Sequence, residues 1–180
     1  MRASDISPEY PLLGFLSQEP AHGYELNRRL DEELKGIWNL SQSQVYNILK
    51  RLEAQGDIIS EIQPGEAGPD KRLLSLAPRG ERRYNRWLEE PTPGSTRAVR
   101  IEFLTRLYFA RSRNKNYALN LIKNQKQSLG KDIERLGGAY DKIPPDLIYY
   151  RLSAQFRLRQ LESCLEWLDD CREDLEKTEN

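Results

Sequence analysis

Between Ser41 and Gly56 the chain writes one short amphipathic helix with punctuation at both ends. Ser41 offers a capping hydroxyl and Gly56 a natural stop. Val45, Ile48, Leu49 and Leu52 recur at i, i+3, i+4 and i+7, so they share one buried face. The other face carries Gln42, Ser43, Gln44, Asn47, Lys50 and Arg51. Short hydrogen-bonding groups occupy the first turns and cations follow. A helix laid in a DNA major groove needs that order, because its first turns reach base edges while flanking positions hold phosphates. An ordinary amphipathic surface helix has the same period, so the neighbouring segments decide.

Two helical segments precede it. Residues 8–16 carry Leu12, Leu13, Phe15 and Leu16 and end near Pro20. Residues 23–34 place Leu26, Leu30 and Leu34 at spacing four, with Arg28, Arg29, Asp31, Glu32 and Glu33 outward. After Gly56, residues 58–62 and 72–76 read as two short strands around a turn-rich stretch, Pro64 to Asp70. Three helices and then a hairpin is the order of a winged helix-turn-helix. Residues 63–71 would form the wing, with Lys71 and Arg72 at its return edge, near phosphates or the minor groove.

Three motifs carry a family resemblance. Leu12-Leu13-Gly14-Phe15-Leu16, Pro20-Ala21-His22-Gly23-Tyr24-Glu25-Leu26, and Val45-Tyr46-Asn47-Ile48-Leu49-Lys50-Arg51-Leu52-Glu53 before Gly56 resemble the PadR family of transcriptional regulators. The resemblance covers residues 8–90 by motif and the remainder by length and helical pattern. It implies a mostly α fold, with an N-terminal winged helix-turn-helix and two-stranded wing, and a C-terminal α-helical dimerisation domain of the larger kind. It implies a double-stranded DNA operator as partner, a homodimer, and in some members a small-molecule effector, phenolic acids among them. Two departures stand out. Ser43-Gln44 replaces the family's Gly-Ser, and Leu74 and Ala77 stand where an aromatic and a Thr are usual. These bear on operator sequence and wing detail rather than on fold.

The candidate DNA-contacting set is therefore Ser41, Gln42, Ser43, Gln44, Tyr46, Asn47 and Lys50 on the helix, Lys71 and Arg72 at the wing, and His22 and Tyr24 in the turn before it. Ser43, Gln44 and Asn47 are expected at bases, and Tyr46 and Lys50 at phosphate or sugar. Net charge alone does not argue for DNA. Residues 1–90 hold 12 Lys and Arg against 15 Asp and Glu, and residues 91–180 hold 16 against 13. The cations are local instead: Lys71, Arg72, Arg79, Arg82, Arg83 and Arg86 face only Glu81 in that stretch. Modest non-specific affinity and a limited salt dependence follow.

Pro91-Thr92-Pro93-Gly94-Ser95 marks a boundary, giving a DNA-binding domain over 1–90 and a helical dimerisation and effector domain over 91–180. The second half reads as helices over 96–113, over 116–137 with Gly137-Gly138 ending or kinking it, and from Pro145 to Glu176. In the last helix Ala154, Leu158, Leu161, Leu165, Leu168 and Leu175 follow a 4-3 rhythm suited to packing on another helix, within one subunit or across two.

Enzyme and metal chemistry find little footing. His22 is the single histidine, and no phosphate-binding glycine loop, HExxH or CxxC occurs. No catalytic residue, metal or cofactor is expected. No apolar run reaches the roughly 18 residues of a membrane span, and the start lacks a signal-peptide core, so a cytoplasmic protein is expected. Cys164 and Cys171 lie seven apart on one predicted helix, too far to bridge each other. They serve either as small residues on a helix flank or as a redox link between subunits. Tyr84, Trp87, Tyr108 and Phe109, with Phe156 and Trp167, are candidates for an effector cavity and equally for core. The expected function is a homodimeric, DNA-binding transcriptional repressor. The alternative is a winged-helix adaptor that docks a protein partner.

Overall fold

The computed structural model describes residues 6–64 and 71–177. The chain divides between Glu90 and Pro91 into two compact units. The first holds α1 (Glu9–Gln18), β1 (Ala21–His22), α2 (Gly23–Glu33), α3 (Gln42–Ala54), β2 (Ile58–Gln63), β3 (Lys71–Leu76) and α4 (Pro78–Glu89). The second holds α5 (Thr96–Ala98), a π-helical stretch (Val99–Phe103), α6 (Leu104–Arg113), α7 (Lys115–Tyr140) and α8 (Ile148–Lys177).

In the first unit the sequence period becomes a core. Leu12, Leu13 and Phe15 of α1 meet Leu26 and Leu30 of α2 and Val45 and Leu52 of α3, all essentially without exposure. Each such side chain contributes about 1.5–3 kcal/mol by leaving water. Ser41 caps α3 and accepts from the Gln44 amide, while the Gln44 side chain returns to the Ser41 amide. That capping box satisfies two otherwise orphaned donors. Gly56 ends α3 at φ +72, a left-handed conformation that favours glycine. Among the described residues the strands form a three-stranded antiparallel sheet in the order β1-β3-β2. The expected hairpin is there, with Ile58 opposite Leu76 and Gln63 opposite Lys71. The third strand is new: Ala21 and His22 pair with Leu74 and Leu73. Two residues are too short for any sequence period to announce. Of the expected wing, residues 65–70 lie outside the described residues.

Helix α4 closes this unit through α1. Tyr10 stacks on Trp87 at 4.5 Å, and the Arg83 guanidinium lies over the Tyr10 ring at 5.3 Å. Gly80 is required beside Asp57, because a side-chain carbon there would run into the Asp57 carbonyl.

The second unit packs three long helical segments on one another. Val99, Phe103, Leu107 and Ala110 share a core with Ala118, Leu121, Ile122 and Leu129 of α7 and with Leu161, Cys164 and Leu168 of α8. Three expectations are corrected here. The helix expected over 96–113 is interrupted by a π-helical stretch over Val99–Phe103. Gly137-Gly138 does not end α7, which runs on to Tyr140. Both glycines keep their backbone hydrogen-bonding capacity, so they weaken a helix without breaking it. The last helix starts at Ile148 rather than Pro145. The 4-3 seam is also partly spent inside the unit, since Leu161 and Leu168 are buried and Leu165 and Leu175 pack against the same core. The segment after Pro91 is pinned by polar bonds: the Thr92 amide donates to Gln125, Gln125 donates back to the Thr92 carbonyl, and buried Arg106 donates to Thr92 and Glu102.

Among the described residues no helix is long and apolar enough to cross a membrane.

Candidate nucleic-acid interface

The buried stripe of α3 leaves its opposite face bare. Ser41, Gln42, Ser43, Gln44, Tyr46, Asn47 and Lys50 are all exposed. The helix is held by Val45, Ile48, Leu49 and Leu52, so this polar face is presented by a rigid element rather than a loop. The residues differ in what they are free to do. Gln44 accepts from the Ser41 amide at 2.8 Å and from the Ser41 hydroxyl at 3.1 Å. Ser43 and Ser41 share a hydroxyl contact at 3.1 Å. Ser41 and Gln44 thus build the start of the helix, and Gln42 and Asn47 are the amides on this face outside the cap.

Aromatic and strand residues gather beside α3. An added carbon on Gly23 would sit 2.9 Å from the Tyr46 ring, so glycine is what lets that ring lie across the start of α2. Tyr46 remains 45% exposed and Tyr24 50%. His22 stacks on Tyr24 at 5.6 Å. Its Nδ1 donates to the Arg72 carbonyl at 2.9 Å, and its amide donates to Glu25 at 2.7 Å. His22 is therefore both the cap of α2 and the pin of the wing's return strand. Tyr24, Tyr46, His22 and Arg72 form one neighbourhood although up to fifty residues separate them in sequence.

Arg72 is engaged rather than free. Its guanidinium donates to Glu53 at 2.5 Å and to the Ser60 hydroxyl at 2.8 Å, and Ser60 also donates to Glu53. Those bonds from Ser60 and Arg72 hold the Glu53 carboxyl below the usual carboxylate range. Lys71 is exposed at the strand end.

Sequence reasoning missed a second network behind the helix. Glu9, buried at the start of α1, accepts from Arg51 of α3 at 2.7 Å and from Arg83 of α4. Arg83 also donates to buried Asp57 at 2.6 Å, and Arg79 pairs with Asp57 at 3.2 Å. Burial pushes the Glu9 carboxyl up, but the two arginines outweigh it and hold it below its ordinary value. Glu9 and Arg51 lie 42 positions apart, and no local spacing signals such a pair.

The aromatic candidates for an effector fall in separate units. Tyr84 and Trp87 are buried in the first, Phe109 is buried in the second and Tyr108 is half-buried there. Phe156 and Trp167 instead line a groove of about 680 Å³ in the second unit, with Val99, Leu104, Arg100 and Arg159. Cys164 is buried, and both cysteines are free thiols. Burial, together with Asp170 and Asp174, pushes the Cys171 thiol up to about 11, so it stays protonated at neutral pH.

Two family models match this chain. Residues 12–86 match the transcriptional regulator PadR-like family, and residues 99–176 match the virulence activator alpha C-terminal domain. The negative transcriptional regulator PadR of Bacillus subtilis (strain 168) is 28% identical over 137 residues, 75% of this chain and 74% of that protein. A probable transcriptional regulator of Mycobacterium tuberculosis is 23% identical over 190 residues, 93% of this chain and 97% of that protein. Among solved structures, Bacillus subtilis PadR in complex with operator DNA is similar at a TM-score of 0.45 and 25% identity, covering 93% of this chain and 98% of that one. The same protein in complex with p-coumaric acid gives 0.42 and 25%, over 94% and 98%. Residues 12–86, which hold the helix-turn-helix and the wing, are thus a PadR-like transcriptional-regulator domain.

Proposed function

We propose that this regulator is a homodimeric repressor that reads a palindromic operator with α3. The observation that carries the reading is the wholly exposed polar face of α3 from Ser41 to Lys50, set on a fully buried stripe. Asn47 suits bidentate pairing with adenine, and Lys50 suits a phosphate. Tyr24 and Tyr46 flank the face with ring and hydroxyl, and Lys71 and Arg72 stand at the wing edge. The Bacillus subtilis relative is a negative regulator by name, which supports repression rather than activation.

Dimerisation is assigned to the second unit. Ile148, Tyr149, Leu152 and Phe156 recur on one face of α8 and are each more than half exposed. An apolar row of that size on a surface marks an interaction site. A second copy of the chain, related by a two-fold axis, would cover it and space two copies of α3 about 34 Å apart. The groove beside Phe156 and Trp167 has an apolar lining with Arg100 and Arg159 and suits a small effector with an apolar body and an anionic group.

The protein-adaptor reading draws on one observation, the excess of acids over cations in residues 1–90. Band-shift titration of the full chain against the DNA upstream of its own gene, beside a mixed-sequence duplex, separates the two. The repressor reading expects a retarded complex on the upstream fragment at concentrations that leave the mixed duplex free. Absence of that preference on upstream and neighbouring promoters would leave the adaptor as the better account.

A further inference from the structure

Arg51 stands on the same stripe of α3 as Gln44 and Asn47, at i, i+3 and i+7. Its guanidinium is held by one edge. Nε donates to Glu9 at 2.7 Å, while the side chain remains 52% exposed and its two terminal amino groups have no partner among the described residues.

The charges behind it explain why that edge contact is more than neutralisation. Two buried carboxylates, Glu9 and Asp57, face three arginines, Arg51, Arg79 and Arg83. Arg83 alone bridges both acids. The cluster thus holds one cation more than its acids, and Arg51 is the only one of the three arginines on α3. A guanidinium is a planar fork of five donors, so using Nε as an anchor leaves four in a fixed plane. A buried acid that grips one edge of an exposed fork presents the other edge, with its geometry prepaid, to a planar or tetrahedral oxyanion. A lysine could not serve both ends in this way.

We propose that Arg51 is a phosphate contact of the DNA interface and that Glu9, itself locked by Arg83, is the positioning residue that presents it. The proposal rests on the DNA-binding reading of α3. It assigns the contact to the backbone rather than to a base, because the Nε anchor holds the guanidinium near α1 and denies it the reach of a free side chain.

The test is the salt dependence of affinity of the full chain for a mixed-sequence duplex, with thermal midpoints measured alongside. Glu9→Gln keeps one carbonyl acceptor where Arg51 and Arg83 use two carboxylate oxygens, and turns an amide donor toward the other guanidinium. It is therefore expected to loosen the Arg51 fork and lower affinity while the salt slope, which counts the cation, stays; unchanged affinity would overturn the positioning role of Glu9. Glu9→Gln with Arg51→Gln is expected to lower the slope by about one per bound protomer. Its affinity deficit per protomer then shrinks about threefold to fourfold between about 50 and 200 mM salt. Glu9→Gln with Arg51→Lys restores the cation and is expected to restore the slope. If the glutamine pair unfolds, Arg51→Gln alone, which leaves Glu9 paired with Arg83, takes its place. A lowered midpoint with an unchanged slope makes Arg51 structural and overturns the proposal. A slope that stays low with lysine also overturns it. On a specific site, a loss confined to one base position would make Arg51 a base reader and overturn the phosphate assignment. A wild-type chain with no salt-dependent DNA affinity at all would remove the DNA-binding reading first and this inference with it.

Discussion

Tyr46 lies across Gly23, and the fit is close enough that a single methyl group decides it. Gly23 has no left-handed backbone, so alanine there meets only the ring, not its own chain. Alanine also favours the first turn of a helix by up to about 1 kcal/mol over glycine. Gly23→Ala should therefore leave the thermal midpoint equal or slightly higher while moving the Tyr46 ring. Affinity for the upstream fragment should fall, and calorimetry beside binding separates the two effects. A variant that loses stability and keeps affinity would show the ring has no part in the interface. Gln44 teaches the opposite caution. It reads from sequence as a base contact, but it is half of a capping box, and removing such a cap costs about 1 kcal/mol. Asn47 is the cleaner probe of base readout.

At the scale of elements, what was legible followed a period. The apolar rhythm of α1, α2 and α3, the stop at Gly56 and the two longer strands can all be read from spacing and turn residues. What escaped has no local signature. Strand β1 is two residues long, the π-helical stretch in Val99–Phe103 breaks no pattern of residue type, and Glu9 meets Arg51 and Arg83 only through the fold. That last contact ties α1, α3 and α4 into one electrostatic unit with a definite pH dependence. The Glu9 carboxyl is held below its ordinary value when folded, so its contribution is complete above the unfolded carboxylate range. It is lost as pH falls below about 4.3 toward the folded value. Thermal midpoints of the wild type should drop more steeply over that acid window than those of Glu9→Gln. Parallel curves would mean the pairing contributes nothing that titrates. Gly80 marks the same junction sterically. Its neighbour is the Asp57 backbone, which cannot swing aside, so Gly80→Ala should destabilise by about 1–3 kcal/mol in denaturant titration.

Across the whole molecule, α8 divides its apolar residues between two tasks. Leu161, Cys164 and Leu168 belong to the core of their own unit. Ile148, Tyr149, Leu152 and Phe156 do not, and the assembly proposed above depends on them. Cutting the helix away would destroy core as well as surface, so point changes are the better instrument. Leu152→Asp with Phe156→Asp should convert the dimer to a monomer in sedimentation while leaving helix content unchanged. A tight dimer in that variant would move the two-fold contact elsewhere. The 4-3 seam suggested this helix as the contact, but only the burial of each position distinguishes the residues spent inside from those left outside.

The central claim is that the exposed face of α3 reads DNA. It is tested most directly by comparing Asn47→Ala and Lys50→Ala with the wild type on the upstream fragment, on single-base variants of it, and across salt. The account predicts that Asn47→Ala loses about 1–3 kcal/mol of discrimination at one position in each half-site. It predicts that Lys50→Ala weakens every sequence alike and lowers the salt slope by about one per protomer. Unchanged affinities, unchanged base preference and an unchanged slope in both variants would contradict it.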